Sequence, residues 1–337
     1  MSHTVLIQPK GLSFEADEDE TILDAAAKAG IKMLKSCDNG ICEICRATLK
    51  SGTVDTPYGL FDEHHPDVNP LLPCVSKARS NLIVEQKKVL APGEIPLQHI
   101  AFQVKEVKPL TDDVYEINLL APAGKLPEFH AGQYLELLIE EKENPFTIAS
   151  APGGRDVQLH LGVSQDNPSS LEILQYLQDN LTVRARLPRG SVFLKPDSYA
   201  SNLHDPIVFV VAGTGFAQAK AMIEDQFKHQ HSAMYLYWIN RDASGFYTNL
   251  PVQWHDENRI HYTRLTPETP DCEFFSAEPV EHLIAQQFPD LTSLKVVLCG
   301  GPNFVYSVLE GLESHGVETS QVMSDVFAYA PRPVKEA

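Results

Sequence analysis

Positive charge is scarce in this chain. Against 45 aspartates and glutamates stand only 27 lysines and arginines, a formal net charge of −18 over 337 residues. A surface of that sign repels nucleic-acid phosphates and anionic membrane faces. It suits a basic protein partner, whose approach long-range charge can steer. Long apolar runs are missing as well: the sequence holds no stretch of about eighteen apolar residues to cross a bilayer. The first residues, Met1 to Lys10, alternate like a strand and lack a signal-peptide core, so a soluble cytoplasmic protein is expected. Internal repeats and low-complexity tracts are absent. Cysteine is sparse, six in all, too few for a disulfide-dense secreted scaffold. What remains is 43% hydrophobic residues, enough for packed cores, in a length that points to two or three domains.

The few cysteines are not scattered. Cys37, Cys42 and Cys45 are separated by four and then two residues, and Cys74 follows after a longer excursion. Thiolates grouped in this way suit a metal centre better than disulfides. Gly40 lies where a tight ligand loop needs positive φ, which costs a residue with a Cβ about 1–2 kcal/mol. Zinc or a structural group of thiols are the alternatives, but zinc sites usually show two close pairs, and here one pair has two outliers. Around the loop, Thr4 to Gln8 and Leu12 to Ala16 read as strands. Thr21-x-x-Asp24 reads as a capping box for a short helix, Ile22 to Ala29, closed by Gly30. Arg46 to Lys50 and Asn81 to Glu85 read as further strands.

The segment Cys37-Asp38-Asn39-Gly40-Ile41-Cys42-Glu43-Ile44-Cys45 resembles the plant-type ferredoxin signature C-x-x-G-x-C-G-x-C, with Glu43 in place of the second glycine. That resemblance implies a [2Fe–2S] cluster on Cys37, Cys42, Cys45 and Cys74, within a β-grasp domain over residues 1–90.

Past a proline- and glycine-bearing linker, 91–98, the texture changes. Short β-like runs follow: Phe102 to Val107, Val114 to Leu119, Tyr134 to Ile139, Val157 to Val163 and Val183 to Leu187. The cleanly alternating Val157 to Val163 has one buried and one wet face. This spacing predicts an antiparallel barrel over 99–203, with one helix near Leu171 to Leu181. From 204 to 337 strands and helices alternate: strands at Ile207 to Val211, Met234 to Ile239 and Lys295 to Leu298, helices at Phe216 to His229 and Asn303 to Ser314. That is doubly wound α/β texture. The fold class expected is therefore α+β multidomain.

Ala131-Gly132-Gln133-Tyr134, Asn144 to Ser150, Val211 to Phe216, Cys299-Gly300-Gly301-Pro302 and Ser324 to Phe327 together resemble, in order, the motifs of the ferredoxin–NADP reductase family. Asn144 to Ser150 and Asp325 to Tyr329 lean toward its bacterial NAD(P)H–flavin reductase branch. The resemblance implies FAD and NAD(P)H as cofactor and donor. Phe146 and Thr147 would meet the isoalloxazine, and Ser150 and Ser170 would hold the flavin. Gly213, Thr214, Gly215 and Gly300 would line the nucleotide path, with Cys299 near the hydride. Asp325 and Phe327 would close the site, so that Thr147, Cys299 and Asp325 are the candidate catalytic set. Without the family, Phe146 reads equally well as a core residue, Gly213 and Gly215 as an ordinary turn, and Cys299 as a small buried residue.

Several departures stand out. Asn144 replaces the family's pyrophosphate-binding arginine, with Arg155, Arg184 and Arg186 as possible substitutes. Asn167-Pro168-Ser169-Ser170 is a loose stand-in for the usual phosphate segment. Ala212 replaces a glycine and Gln218 a proline. Arg241 followed by Asp242 leaves NADH against NADPH open. His64-His65 and His229-x-His231 read as solvated side chains. The expectation is a reductase passing electrons from NAD(P)H through FAD and the cluster to a protein acceptor, as in oxygenase or deoxysugar-dehydrase reductase components. The alternatives are an NAD(P)H:flavin reductase with an attached ferredoxin domain, and a zinc-stabilised binding module.

Overall fold

Residues 2–194, 205–228, 232–241, 243–266, 275–276 and 279–332 are described by a computed structural model. His229, His231 and Asp242 lie outside the described residues. The chain forms two units, Met1–Pro96 and Leu97–Ala337.

In the first unit, the alternating start forms the strand Ser2–Gln8, which pairs antiparallel with Leu12–Asp17 and parallel with Leu82–Glu85. Thr48–Ser51 adds to the far side of Leu82–Glu85, giving a four-stranded sheet. The helix Ile22–Lys28 starts where the capping residues predict: the Thr21 hydroxyl accepts from the Asp24 amide at 3.1 Å. The helix buries Ile22, Leu23, Ala25 and Ala26 in a core that includes Cys45 and Cys74. This is the β-grasp arrangement, with sheet, covering helix and an irregular cysteine loop. Val89–Leu90 pairs with Lys32–Met33, and Glu94 accepts from both Lys10 and the Ala91 amide. Those contacts bind the start of the expected linker to the first unit.

The second unit holds two six-stranded sheets. One is antiparallel, in the order Lys142–Thr147, Tyr134–Ile139, Thr182–Arg189, Gln98–Pro109, Val114–Leu120, Asp156–Gly162. Alternation turns Phe102, Ile117, Leu119, Leu135, Leu137, Val157 and Leu159 inward. An Ile148–Leu159 bridge joins the two edges, so the sheet curls into a half-barrel. The helix Pro168–Asp179 begins earlier than the sequence suggests, because Pro168 is tolerated in a first turn.

The other sheet is parallel, in the order Phe275–Ser276, His261–Leu265, Met234–Ile239, Ile207–Ala212, Lys295–Cys299, Val322–Met323. Ile207–Ala212 is buried along most of its length, as its apolar run requires. It pairs with Met234–Ile239 on one side and Lys295–Cys299 on the other. The order reverses between Ile207–Ala212 and Lys295–Cys299, and a ligand crevice is expected beyond their carboxyl ends. No helix among the described residues is long and apolar enough to cross a membrane.

Candidate functional site: a cysteine loop and a switch-point cavity

The cysteine loop of the first unit has little regular structure, so local hydrogen bonds organise it. Gly40 has φ +81, as its ligand-loop position demands, and a Cβ there would press on Val75 at 3.2 Å. Amides of Asn39, Ile41 and Cys42 point at the Cys37 sulfur, and the Cys42 amide lies 3.4 Å from it. These N–H donors, the Asn39 amide first, hold the Cys37 thiol down at about 6, so it is readily a thiolate. Cys74 is pushed up to about 11, chiefly by burial and then by Cys45, whose sulfur lies 3.3 Å away. Gln86, itself buried, donates to the carbonyls of Cys45 at 2.8 Å and Arg46 at 3.2 Å, tying the loop to the sheet.

The thiols therefore fall into two pairs, Cys37 with Cys42 and Cys45 with Cys74. Among the described residues no three His, Cys, Asp or Glu side chains converge on a single ion. Two separate thiol pairs suit two irons bridged by sulfide, and they do not suit one tetrahedral zinc. The donor set fits a [2Fe–2S] cluster. Glu43, in the place of the family's second glycine, adopts φ +56. His65 stacks on Phe61 at 3.9 Å and His64 is exposed.

In the second unit a cavity of about 1010 Å³ opens beyond the strand ends at the switch point. Its size is at the upper end for cofactor sites. Phe146, Thr147, Ser170, Thr214, Gly215, Cys299, Gly300 and Asp325 all line it. Residues from five stretches of chain are thus brought to one place. Phe146 does both things its sequence allows, packing partly against the barrel core and facing the cavity. Gly215 is required: a Cβ would lie 2.4 Å from the Cys299 carbonyl oxygen. Cys299 is buried and its thiol is pushed far up by that burial, then by Asp325, so it stays protonated.

Three expected residues do not line this cavity. Ser150 accepts from the Gln158 amide at 3.1 Å, which commits its oxygen to the barrel backbone. Phe327 packs against Tyr306, at 5.9 Å between ring centroids. Gly213 lines a smaller cavity of about 270 Å³ with Asn240, Ser244 and Tyr247. Its carbonyl accepts from the Trp238 indole at 3.1 Å, which pins the turn.

Other contributors had no role assigned to them from sequence. Tyr134 and Gly190 line the cavity, and a Cβ on Gly190 would lie 2.9 Å from the Tyr134 ring. His160 lines it too and shares a 2.9 Å hydrogen bond with Tyr247. Burial, then Lys220, pushes His160 down to about 3, so it is neutral. Lys220 is buried and donates to the Ala149 carbonyl at 2.8 Å and to Gln158 at 2.9 Å, clamping the helix Phe216–Gln226 to the barrel. Lysines and histidines on strands and helices carry no spacing signal of such roles.

Among the described residues, no lysine or arginine lines the cavity. Arg155 donates to the Ala121 carbonyl, and Arg186 is paired with Glu136 and Glu143. Arg184 is exposed. An anion entering here meets the N-terminus of the helix Pro168–Asp179, whose Asn167 makes no side-chain cap, with Ser169 and Ser170 beside it. Size, stacking surface, glycine-lined approaches and an open helix N-terminus fit FAD and a nicotinamide nucleotide.

Residues 5–79 match the family described as the 2Fe-2S iron-sulfur cluster binding domain. The first unit is a [2Fe–2S] ferredoxin domain. Over nearly its whole length the chain is similar to the CDP-6-deoxy-L-threo-D-glycero-4-hexulose-3-dehydrase reductase of Yersinia pestis, at 28% identity over 97% of this chain and 99% of that one. It is likewise similar to the terephthalate 1,2-dioxygenase reductase component 2 of Comamonas, at 27% identity over 98% and 99%. Among solved structures, the Amycolatopsis cytochrome P450 reductase GcoB matches with a TM-score of 0.62 at 20% identity, covering 96% of this chain and 98% of that one. Later in the chain, the half-barrel and parallel sheet of the second unit have the fold of solved ferredoxin reductases.

Proposed function

We propose that this chain is an NAD(P)H-dependent iron–sulfur flavoprotein reductase that delivers electrons to a protein acceptor. The observation that carries the reading is the presence in one chain of two thiol pairs suited to a two-iron cluster and a switch-point cavity sized for a flavin. When bound, FAD would supply hydride acceptance and one-electron release, and a [2Fe–2S] cluster on the cysteines would supply one-electron transfer. The protein's part is to bind, orient and insulate.

Thr147 offers a hydroxyl and Phe146 a ring face at the cavity wall, where they would meet the isoalloxazine. Cys299, held neutral, would shape the path from the nicotinamide without acting as a nucleophile. Gly215 and Gly300 would let the donor approach the backbone, and Asp325 would close the site. The acceptor proposed is an oxygenase or deoxysugar-dehydrase component, on the strength of the relatives' names. A thiolate-bound cluster favours a reducing, cytoplasmic setting.

The lack of a lysine or arginine among the described lining residues favours a second reading, an NAD(P)H:flavin reductase carrying a ferredoxin domain. Two measurements decide. A visible spectrum of anaerobically purified protein should show flavin and cluster absorption, both bleaching with NADH; cluster absorption that NADH leaves unchanged would overturn the relay. Flavin that washes off during gel filtration supports the second reading, and retained flavin the first.

A further inference from the structure

Gln218 stands where the resembled family has a proline, yet the structure uses its side chain fully. It is the third residue of the helix Phe216–Gln226 and is 4% exposed. Its amide nitrogen donates to the Gly132 carbonyl at 2.7 Å and to Asp325 Oδ2 at 2.7 Å. The Gly132 carbonyl can only accept, so the amide cannot flip without facing its oxygen to two acceptors. Gly132 is itself held in place: it has φ +103, and a Cβ there would lie 2.5 Å from the Val192 carbonyl. Next to it, Gln133 donates to the Gly190 carbonyl at 2.9 Å and accepts from the His130 amide at 2.8 Å. Gly190 approaches the other carboxylate oxygen: a Cβ on it would lie 3.2 Å from Asp325 Oδ1.

We propose that Gln218 is a positioning residue for Asp325: anchored on Gly132, it gives its second amide hydrogen to the carboxylate and holds Asp325 in the ionised, acceptor form beside Cys299. This rests on the reading of the cavity as the flavin and nicotinamide site. The titratable groups that face Asp325 are Cys299 at the end of the strand Lys295–Cys299, Tyr134 on the barrel and Tyr329 on its own short helix. All three are neutral at ordinary pH. Arg189, the register partner of Tyr134, is committed to Glu136 at 3.0 Å. Burial pushes the Asp325 carboxyl up to about 6, and the Gln218 hydrogen bond pulls the other way. Among the described side chains, Gln218 is the one that donates to this carboxylate.

The test compares the full chain with Gln218→Met, which keeps the volume but removes both hydrogens. In flavin-free protein, the infrared absorbance of the protonated carboxyl, assigned by its loss in Asp325→Asn, should titrate about one unit higher in the variant. In flavin-loaded protein, the pH midpoint of NADH-driven dye reduction should move upward by the same amount. If the methionine variant misfolds, Gln218→Pro replaces it, because a first-turn proline removes no helical hydrogen bond. An unchanged infrared midpoint in a folded variant overturns the proposal. A shifted infrared midpoint with an unmoved rate profile overturns it too, since the carboxylate would then be idle in the reaction. A parent chain that reduces no dye at any pH sinks the functional reading instead, while the infrared titration still decides the pairing.

Discussion

The cysteine loop and the switch-point cavity are built in opposite ways. Three of the four thiols come from nine consecutive residues, and the loop's own amides aim at the sulfurs. Its geometry is local, and only Cys74 and the Gln86 tie are brought in from a distance. The cavity has no such local plan. Thr147, Ser170, Thr214, Cys299 and Asp325 come from separate stretches of chain, and they meet only because a half-barrel packs over the carboxyl ends of a parallel sheet. A local site should lose its function to one change and keep its fold. An assembled site should respond to whatever holds its layers together.

The sharpest way to separate the two is Cys42→Ser. One-electron reduction of a protein acceptor should fall on the order of a hundredfold or more, while NADH-driven dye reduction by the flavin stays within about twofold. Rapid-mixing assays with both acceptors check this, and an equal loss of both would break the separation.

Acid should strike the assembled site. Unfolded His160 takes up a proton below its ordinary value near 6.5, but the folded, buried imidazole does so only near 3. The unfolded state then binds more protons across that window, so stability falls as pH drops from about 6.5 toward 3, by several kcal/mol on an order-of-magnitude basis. Melting curves across this range should show the second unit losing stability, and His160→Gln should flatten the dependence.

A smaller effect is expected from returning the family's arginine to the cavity wall. Asn144 now donates weakly to the Leu137 and Lys142 carbonyls, at 3.3 Å and 3.2 Å. Asn144→Arg should tighten FAD about ten- to a hundredfold through one charge-assisted bond to the pyrophosphate. Equilibrium titration of flavin-free protein reads this directly.

The smallest change belongs to the loop. Glu43→Gly relieves a left-handed φ of +56, worth about 1 kcal/mol, and removes a carboxylate beside the ligands. The midpoint of the cluster should rise on the order of tens of millivolts, because the exposed charge is largely screened. Spectroelectrochemical titration measures it, and a fall would contradict the sign.

The same contrast explains what could be read in advance. The four cysteines, Gly40, Gly215 and the strand-and-helix alternation were visible, because each is a local demand: a ligand spacing, a positive φ, a close approach, a hydrophobic period. Ser150 and Phe327 lie outside the cavity lining, where a barrel amide and Tyr306 engage them. Gln218 looked like a mere departure from pattern, and it is the donor that joins helix, barrel turn and C-terminal segment.

The order of residues alone determined the spacing of the thiols, the periodicities of strands and helices and the glycines that their turns require, since short-range sterics and hydrogen bonding decide those. Only the tertiary structure decided that the described lining of the large cavity holds no lysine or arginine, that His160 is neutral and that Asp325 accepts from the Gln218 amide. Charge and protonation depend on burial and on partners distant in sequence, and those exist only after the layers have packed.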